Sequence, residues 1–398
     1  MHYRTASRSA LTVALLSMLL LGTTRSAHAQ TETVLHNFTA GTDGSGPMYG
    51  LTSDGKGNFY GTTAYGARSG AGTVFELSPN GSGGWNETVI YSFKALKNGV
   101  FPMSPVIFDS LGNLYGTTDQ GGAHGYGVVF ELSPEGTSWT ETVLYSFAGG
   151  TDGADPDGVL IMDPAGNLYG TTYQGGTGNN GTVFELSPSG GSWTEQVIYN
   201  TPNGVVTGVT MDTAGNLFGA GDSSVAGDSA VFELSPNGQG GWNSTVIYTF
   251  ASRPEVAGTL TLDSVGNLYG VTDADANGCG KVYKLTLKSG KWTSKTLYNF
   301  VKGGTDACDP YSGIVFDAAG NIYGTTFKGG AAGKGAVYEL LAPVGKSTSY
   351  TEKVLWSFDG TDGASAWASL ILDSSGNLYG TTYAGGSKGD GVVFEVTP

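Results

Sequence analysis

The chain has 398 residues, with 34 acidic against 19 basic side chains, a formal net charge of −15, and 67 glycines. Such a charge argues against phosphate-rich partners such as nucleic acid or anionic lipid, and four histidines, two of them within the first 29 residues, exclude a site built from several imidazoles. Aromatic residues at 11% and apolar residues at 39% mark the glycines as turn formers in a folded chain and not as a sign of disorder.

In chain order, the first feature is Arg4 and Arg8, an apolar run from Ala10 to Leu21 and the small-x-small pattern Ala27-His28-Ala29. This is the pattern of a secretory signal peptide over 1–29, cleaved near Ala29, and its apolar run is too short to span a bilayer. The expected product is exported, extracellular or periplasmic. It keeps 16 basic against 34 acidic residues, a net −18. No second stretch reaches spanning length, and no sorting tail precedes Val396-Thr397-Pro398.

Next comes a strand-like segment, Glu32 to Phe38, and then a repeat. Gly-Asn-x-(Tyr/Phe)-Gly starts at Gly57, Gly112, Gly166, Gly215, Gly266, Gly320 and Gly376, at intervals of 55, 54, 49, 51, 54 and 56 residues. The third copy predicts strands at Val159–Met162, Asn167–Thr172, Thr182–Leu186 and Gln196–Tyr199. A turn at Asp163–Gly166 and a glycine-rich loop at Gln174–Gly181 separate them. Four short strands in about 50 residues is the pattern of a propeller blade. The fold expected is all-β, a seven-bladed β-propeller over 30–398 with four strands per blade. Glu32–Phe38 matches a fourth strand and the chain stops after a third, Gly391–Val396. Thr33–Phe38 should therefore pair beside Val392–Val396 and close the ring.

The phrase Leu144 to Pro156, running on through Asp163-Pro164-Ala165-Gly166-Asn167-Leu168-Tyr169-Gly170-Thr171-Thr172, resembles the GloVer tandem repeat of exported bacterial proteins, and the resemblance spans all seven copies. It implies a secreted or surface-displayed protein and, by itself, no activity.

Candidate functional residues follow from the loops expected on one face. The TTxxGG loops carry Tyr65, Tyr173, Phe327 and Tyr383, aromatic faces suited to stacking on sugar rings. The second copy breaks the pattern with Asp119, His124 and Tyr126. The connections into each first strand carry Asp43, Asp152, Asp306 and Asp362, and copies four and five add Asp222, Asp273 and Asp275. Carboxylates in glycine-rich loops are ligands of the type calcium takes, although Asp-Gly is also an ordinary turn and the spacing matches no known calcium loop; no cofactor is expected. Recurrent Glu76, Glu131, Glu185, Glu233, Glu339 and Glu395 read as structural, because symmetric copies do not create the two unlike environments catalysis needs.

Cys279 and Cys308 fall on loops of adjacent blades and are expected to form a disulfide. The function expected is a monomeric, non-catalytic binding or interaction platform, for extracellular carbohydrate or a protein partner. The alternative is a glycan hydrolase or lyase with carboxylates near the axis. An asymmetric cluster of carboxylates in a deep central pocket would distinguish the second from the first.

Overall fold

Each copy of the repeated phrase folds as a hairpin for a local reason. In the third copy the Asp163 carboxylate accepts the backbone amides of Ala165 and Asn167 at 2.8 and 2.9 Å, and its other oxygen accepts the Asn167 side-chain amide at 2.8 Å and the Tyr169 hydroxyl at 3.2 Å. Gly166 closes the turn at φ 89°, a conformation that disfavours any Cβ. The glycine after the tyrosine has a different task. A Cβ on Gly170 would lie 2.5 Å from the tip of the Phe184 ring, so this glycine lets the aromatic ring of the third strand lie flat on the second.

The computed structural model describes residues 30–94, 96–202, 208–221, 229–250, 256–273, 278–303 and 305–398; the expected signal peptide lies outside them. Seven four-stranded antiparallel sheets follow one another. Their innermost strands, numbered here as blades 1 to 7, are Thr52–Ser53, Ile107–Phe108, Ile161–Met162, Thr210–Met211, Val256–Leu262, Val315–Phe316 and Ile371–Leu372. The protein is a seven-bladed β-propeller.

Blade 7 takes its outer strand from the other end of the chain. Thr31–Asn37 pairs antiparallel with Val392–Thr397, with Thr33 opposite Glu395 and Asn37 opposite Val392. The ring therefore closes by strand pairing and leaves no open edge at the junction.

Blades adhere through their faces. The tryptophan that opens the outermost strand of one blade meets the GNxY ring of the preceding blade, as in Tyr60–Trp139 and Tyr115–Trp193, both 6.4 Å between centroids. Buried apolar clusters span adjacent blades; Val74, Phe93 and Val106, for example, share one with Leu114 and Phe130.

Cys279 and Cys308 are joined by a disulfide, with 4.6 Å between their Cα atoms. It ties the loop of blade 5 to the connection entering blade 6. No described helix is long and apolar enough to cross a membrane.

Candidate functional site

In blades 1, 2, 3, 6 and 7 two connections meet on one face. The loop after the second strand pairs with the segment that leads into the first, at Ser45 with Tyr65, Val100 with Gln120, Ala154 with Gln174 and Ala364 with Ala384. In blade 6 the same contact is a two-stranded ribbon, Ala307–Cys308 with Lys328–Gly329. The entering segment then bends through a left-handed residue, Phe101, Asp155, Asp309 or Ser365, with φ between 55° and 62°. That bend turns the chain from the rim towards the axis.

At the axis the entering segments leave a cavity of about 220 Å³. The side chains that give it chemical character are Met48, Tyr49, Asp157, Tyr311, Ser312 and Trp367, set among backbone of Gly50, Gly158, Gly208, Gly258 and Gly313. One repeat position, three before the apolar residue that immediately precedes the innermost strand (Leu51, Leu160, Ile314 and Leu370), supplies Met48, Asp157, Tyr311 and Trp367. The threonines that follow the second-strand glycine of the repeated phrase hold this lining in place. Thr381 donates its hydroxyl to the Tyr49 carbonyl at 3.1 Å, Thr62 to that of Ser104 at 2.9 Å and Thr325 to that of Ala368 at 2.8 Å. Each bond reaches from one blade to the axial residue of the next.

The wall on blades 6 and 7 is aromatic. Trp367 stacks on Tyr311 and on Tyr383, with centroids 5.5 and 5.9 Å away, and meets Phe327 edge-on at 5.3 Å. The indole Nε1 of Trp367 is inaccessible and has no hydrogen-bond partner.

The side entering blade 3 carries the one carboxyl among the described lining residues, Asp157. Asp157 has an inaccessible Oδ1 without a hydrogen-bond partner. Burial pushes its carboxyl up to about 8, and the charges of Asp119 and Asp155 add to the rise against a smaller pull from its own backbone amide. Asp155 is raised by burial and then by Asp119, and Asp119 by burial, moderated by Gln120. The Tyr49 phenol is pushed far up by burial, then by Asp157 and Asp119. Among the described residues, no lysine, arginine or histidine lines the cavity. A carboxyl that stays protonated near neutrality beside carboxylates is the arrangement of acid–base chemistry.

The expected site residues divide. Phe327 and Tyr383 pack against Trp367 of the lining, and the Tyr173 amide donates to the Asp155 carbonyl at 3.0 Å. Tyr65 occupies the next position along, equivalent to Gln120 and Gln174, and packs edge-on against Phe101 at 5.7 Å. His124 and Tyr126 sit exposed on the rim loop of blade 2, where Tyr126 packs against Gly149.

The repeated loop aspartates each close their own connection. Asp43 accepts the Thr39 amide and hydroxyl, Asp152 the Ala148 amide and Tyr145 hydroxyl, Asp306 the Val301 amide, and Asp362 the Asp359 amide and Trp356 indole. They stand one to a blade, and among the described residues no three His, Cys, Asp or Glu side chains converge as metal ligands. Asp273 is buried; Asp222 and Asp275 lie outside the described residues. Sequence reasoning missed Asp157, Tyr49, Tyr311 and Trp367. The available signal was divergence at a position whose phase the repeat fixes.

A family model described as the Gloeobacter/Verrucomicrobia repeat matches residues 82–276 and 255–398. No curated protein matches the sequence. Among solved structures, the chain is similar to hydrazine synthase of Kuenenia stuttgartiensis, at 15% identity and TM-score 0.57, covering 86% of this chain and 94% of that one. It is similar to a putative 6-phosphogluconolactonase of Bacteroides uniformis, at 13% identity and TM-score 0.54, covering 83% and 88%. It is also similar to a polysaccharide lyase, an ulvan lyase, at 11% identity and TM-score 0.52, covering 92% and 95%. Each likeness is one of fold.

The expectation of a non-catalytic binding or interaction platform is corrected at this point. The propellers of this shape carry enzyme names. The central cavity carries one carboxyl in its lining, Asp157, without an equivalent on the other blades, and the charges of Asp119 and Asp155 act on it.

Proposed function

The chain belongs to the Gloeobacter/Verrucomicrobia repeat family, and on that premise we propose that its axial pocket cleaves a glycan by acid–base catalysis. The observation that carries the reading is the two-sided cavity: Asp157 on one side, with the charges of Asp119 and Asp155 acting on it, and Tyr311 with Trp367 on the other, where Phe327 and Tyr383 pack against the indole. A sugar ring has an apolar face that stacks on an indole and polar edges that reach carboxyl groups.

The roles follow from the electrostatics. Asp157, kept protonated by burial and by its acidic neighbours, donates a proton to the glycosidic oxygen as the bond to it breaks. Asp119 or Asp155, the more readily ionised partners, takes a proton from the attacking water or stabilises the positive charge that develops on the sugar. Hydrolysis fits better than elimination. Elimination from a uronic acid needs the substrate carboxylate neutralised, and the described lining residues include no lysine, arginine or histidine to do it. The enzyme works outside the cytoplasm, in keeping with the signal-like segment 1–29.

The test is a reducing-end assay of residues 30–398 against a panel of polysaccharide fragments, with Asp157→Asn as control. The reading expects turnover of at least one fragment, with kcat about 10²–10⁴ lower in the variant. Fragments that raise the melting temperature yet are never cleaved would sink the catalytic reading.

A further inference from the structure

The rim of blade 1 departs from its equivalents in one loop. In blades 3, 6 and 7 the loop after the second strand is pinned to the end of the fourth strand. The amides of Thr177, Ala331 and Ser387 donate to the side chains of Asn200, Ser357 and Asn37 at 2.7, 3.2 and 2.7 Å. Each of these amides follows a glycine of left-handed φ, Gly176, Gly330 or Gly386. In blade 1 the same three places hold Ala67, at φ 56°, Arg68 and Ser92, so a residue with a Cβ takes a conformation that disfavours one. The pin is not made there. Among the described residues neither the Arg68 amide nor the Ser92 hydroxyl has a hydrogen-bond partner. The loop is tied instead through the Ser69 hydroxyl, which donates to the Phe93 carbonyl and so brings Arg68 beside Lys94. Between loop and strand lies a cleft of about 410 Å³, lined by Thr42, Arg68, Ser69, Ser92 and Lys94.

Both charged residues of this lining are positive, and among the described residues no carboxylate forms an ion pair with either. Asp43, next to Thr42 in the chain, is turned elsewhere: it accepts the Thr39 amide and hydroxyl and lies 3.5 Å from His36. Ala95, the one position between Thr31 and Pro202 outside the described residues, has no charge to add. The pair of cations belongs to this blade alone. Blade 2, where the pin is also missing among the described residues, has Ala123 and Ala148 at the two positions, and elsewhere the place of Lys94 falls to Thr39, Pro202, Ala251, Val301 or Asp359.

We infer that this cleft binds a tetrahedral oxyanion, a sulfate or phosphate group. The Arg68 guanidinium offers a planar fork of donors and Lys94 a compact charge. The unpinned Arg68 amide and the hydroxyls of Thr42 and Ser92 add neutral donors. These groups come from three chain segments, an arrangement better suited to the oxygens of a tetrahedral group than to the two coplanar oxygens of a carboxylate. The molecule as a whole is acidic and repels polyanions, so the fitting ligand is a single group and not a nucleic acid. Its source is either a free inorganic ion or an ester carried by a glycan. The site does not depend on cleavage in the axial cavity.

Titration calorimetry on residues 30–398 at pH 7, with ionic strength held constant by sodium chloride, tests this with sodium sulfate, glucose 6-sulfate, glucose 6-phosphate and glucuronate. The two esters should bind at least about tenfold tighter than glucuronate, and Arg68→Gln and Lys94→Gln should each weaken them at least about tenfold. Lys56→Gln removes the same charge from an exposed turn at the far end of blade 1 and should leave their affinity within about twofold. Esters binding tighter than sodium sulfate support a glycan-borne group in the cleft, and sulfate binding as tightly as the esters supports the free ion there. Undiminished binding by Arg68→Gln and Lys94→Gln, equal loss in all three variants, equal binding of glucuronate, or binding of no anion overturns the inference. Thermal unfolding establishes that each variant is folded.

Discussion

Tyr311 and Trp367 lie one over the other, with ring centroids 5.5 Å apart and planes 14° from parallel, although one comes from blade 6 and the other from blade 7. The stack makes a flat apolar platform across a blade junction. Trp367→Ala should raise KM for any cleaved glycan at least tenfold and change kcat much less, because stacking serves ground and transition states alike. Trp367→Phe should retain part of the affinity. Steady-state kinetics on the three proteins check this.

Asp157 supplies a pH signature. As a general acid it must be protonated, and its folded value of about 8 sets where that ends. Activity should fall as pH rises through about 8, and that limb should be absent from the residual activity of Asp157→Asn. A profile of kcat/KM between pH 5 and 10 reads the result.

Two blades contain a stability defect. Where the others place phenylalanine over the second-strand glycine, blades 5 and 6 have Tyr283 and Tyr338, both fully buried, and both hydroxyls lack a partner. Tyr283→Phe and Tyr338→Phe should each stabilise the protein by about 1 kcal/mol, since an unsatisfied buried hydroxyl costs that order. Denaturant unfolding is the measurement, and loss of stability in both would refute the account.

Stability should fall from mildly acid to mildly alkaline pH. Outer-strand glutamates stand beside loop aspartates at three blade rims. Burial first and then Asp362 and Asp359 raise Glu32 from 4.5 to about 7, burial and then Asp43 raise Glu87 to about 7, and burial and then Asp152 raise Glu195 to about 8. Between about 4.5 and 8 the folded state holds protons that the unfolded chain releases, so unfolding becomes easier as pH rises. The turn aspartates act at the other end. Burial pulls Asp54, Asp109 and Asp317 up, but the amides donating to them win and leave them lowered, so their contribution disappears in strong acid. The melting temperature should be higher at pH 5 than at pH 8.5.

Removal of residues 30–40 should destabilise the entire ring. Val392–Thr397 would lose its partner along six paired positions and become an exposed edge. Thermal unfolding of the truncated chain unchanged from the parent would contradict closure by this strand.

The sequence carried the architecture in its periodicity. Asp163, Asn167 and Gly170 have local tasks that any copy of the repeat must satisfy, so their spacing marks every blade, and Cys279 and Cys308 could be paired once the blades were placed. The candidate site was less legible for a physical reason. Its residues sit where the chain bends into the axis, just ahead of the innermost strand, and there each blade faces a different neighbour across the cavity. Met48, Asp157, Tyr311 and Trp367 share a position but no chemistry. The TTxxGG loops drew attention to Phe327 and Tyr383, which do reach the site. Tyr65 looked equivalent but is one residue out of phase, since Ala64 fills the matching place. Asp119 fills that place in blade 2, which is why it stood out only as a break in the pattern.

The closing strand also sets an order of events. The Asn37 side chain accepts the Ser387 amide at 2.7 Å across 350 residues of chain. A ribosome releases Thr31–Asn37 early and Val392–Thr397 hundreds of residues later, so blade 7 cannot be assembled until that last strand has been made. Until then the early strand must wait without a partner, and the axial cavity, which needs all seven blades in place, cannot exist. The pocket is thereby complete only once the ring has closed, and a partly made chain cannot contain it.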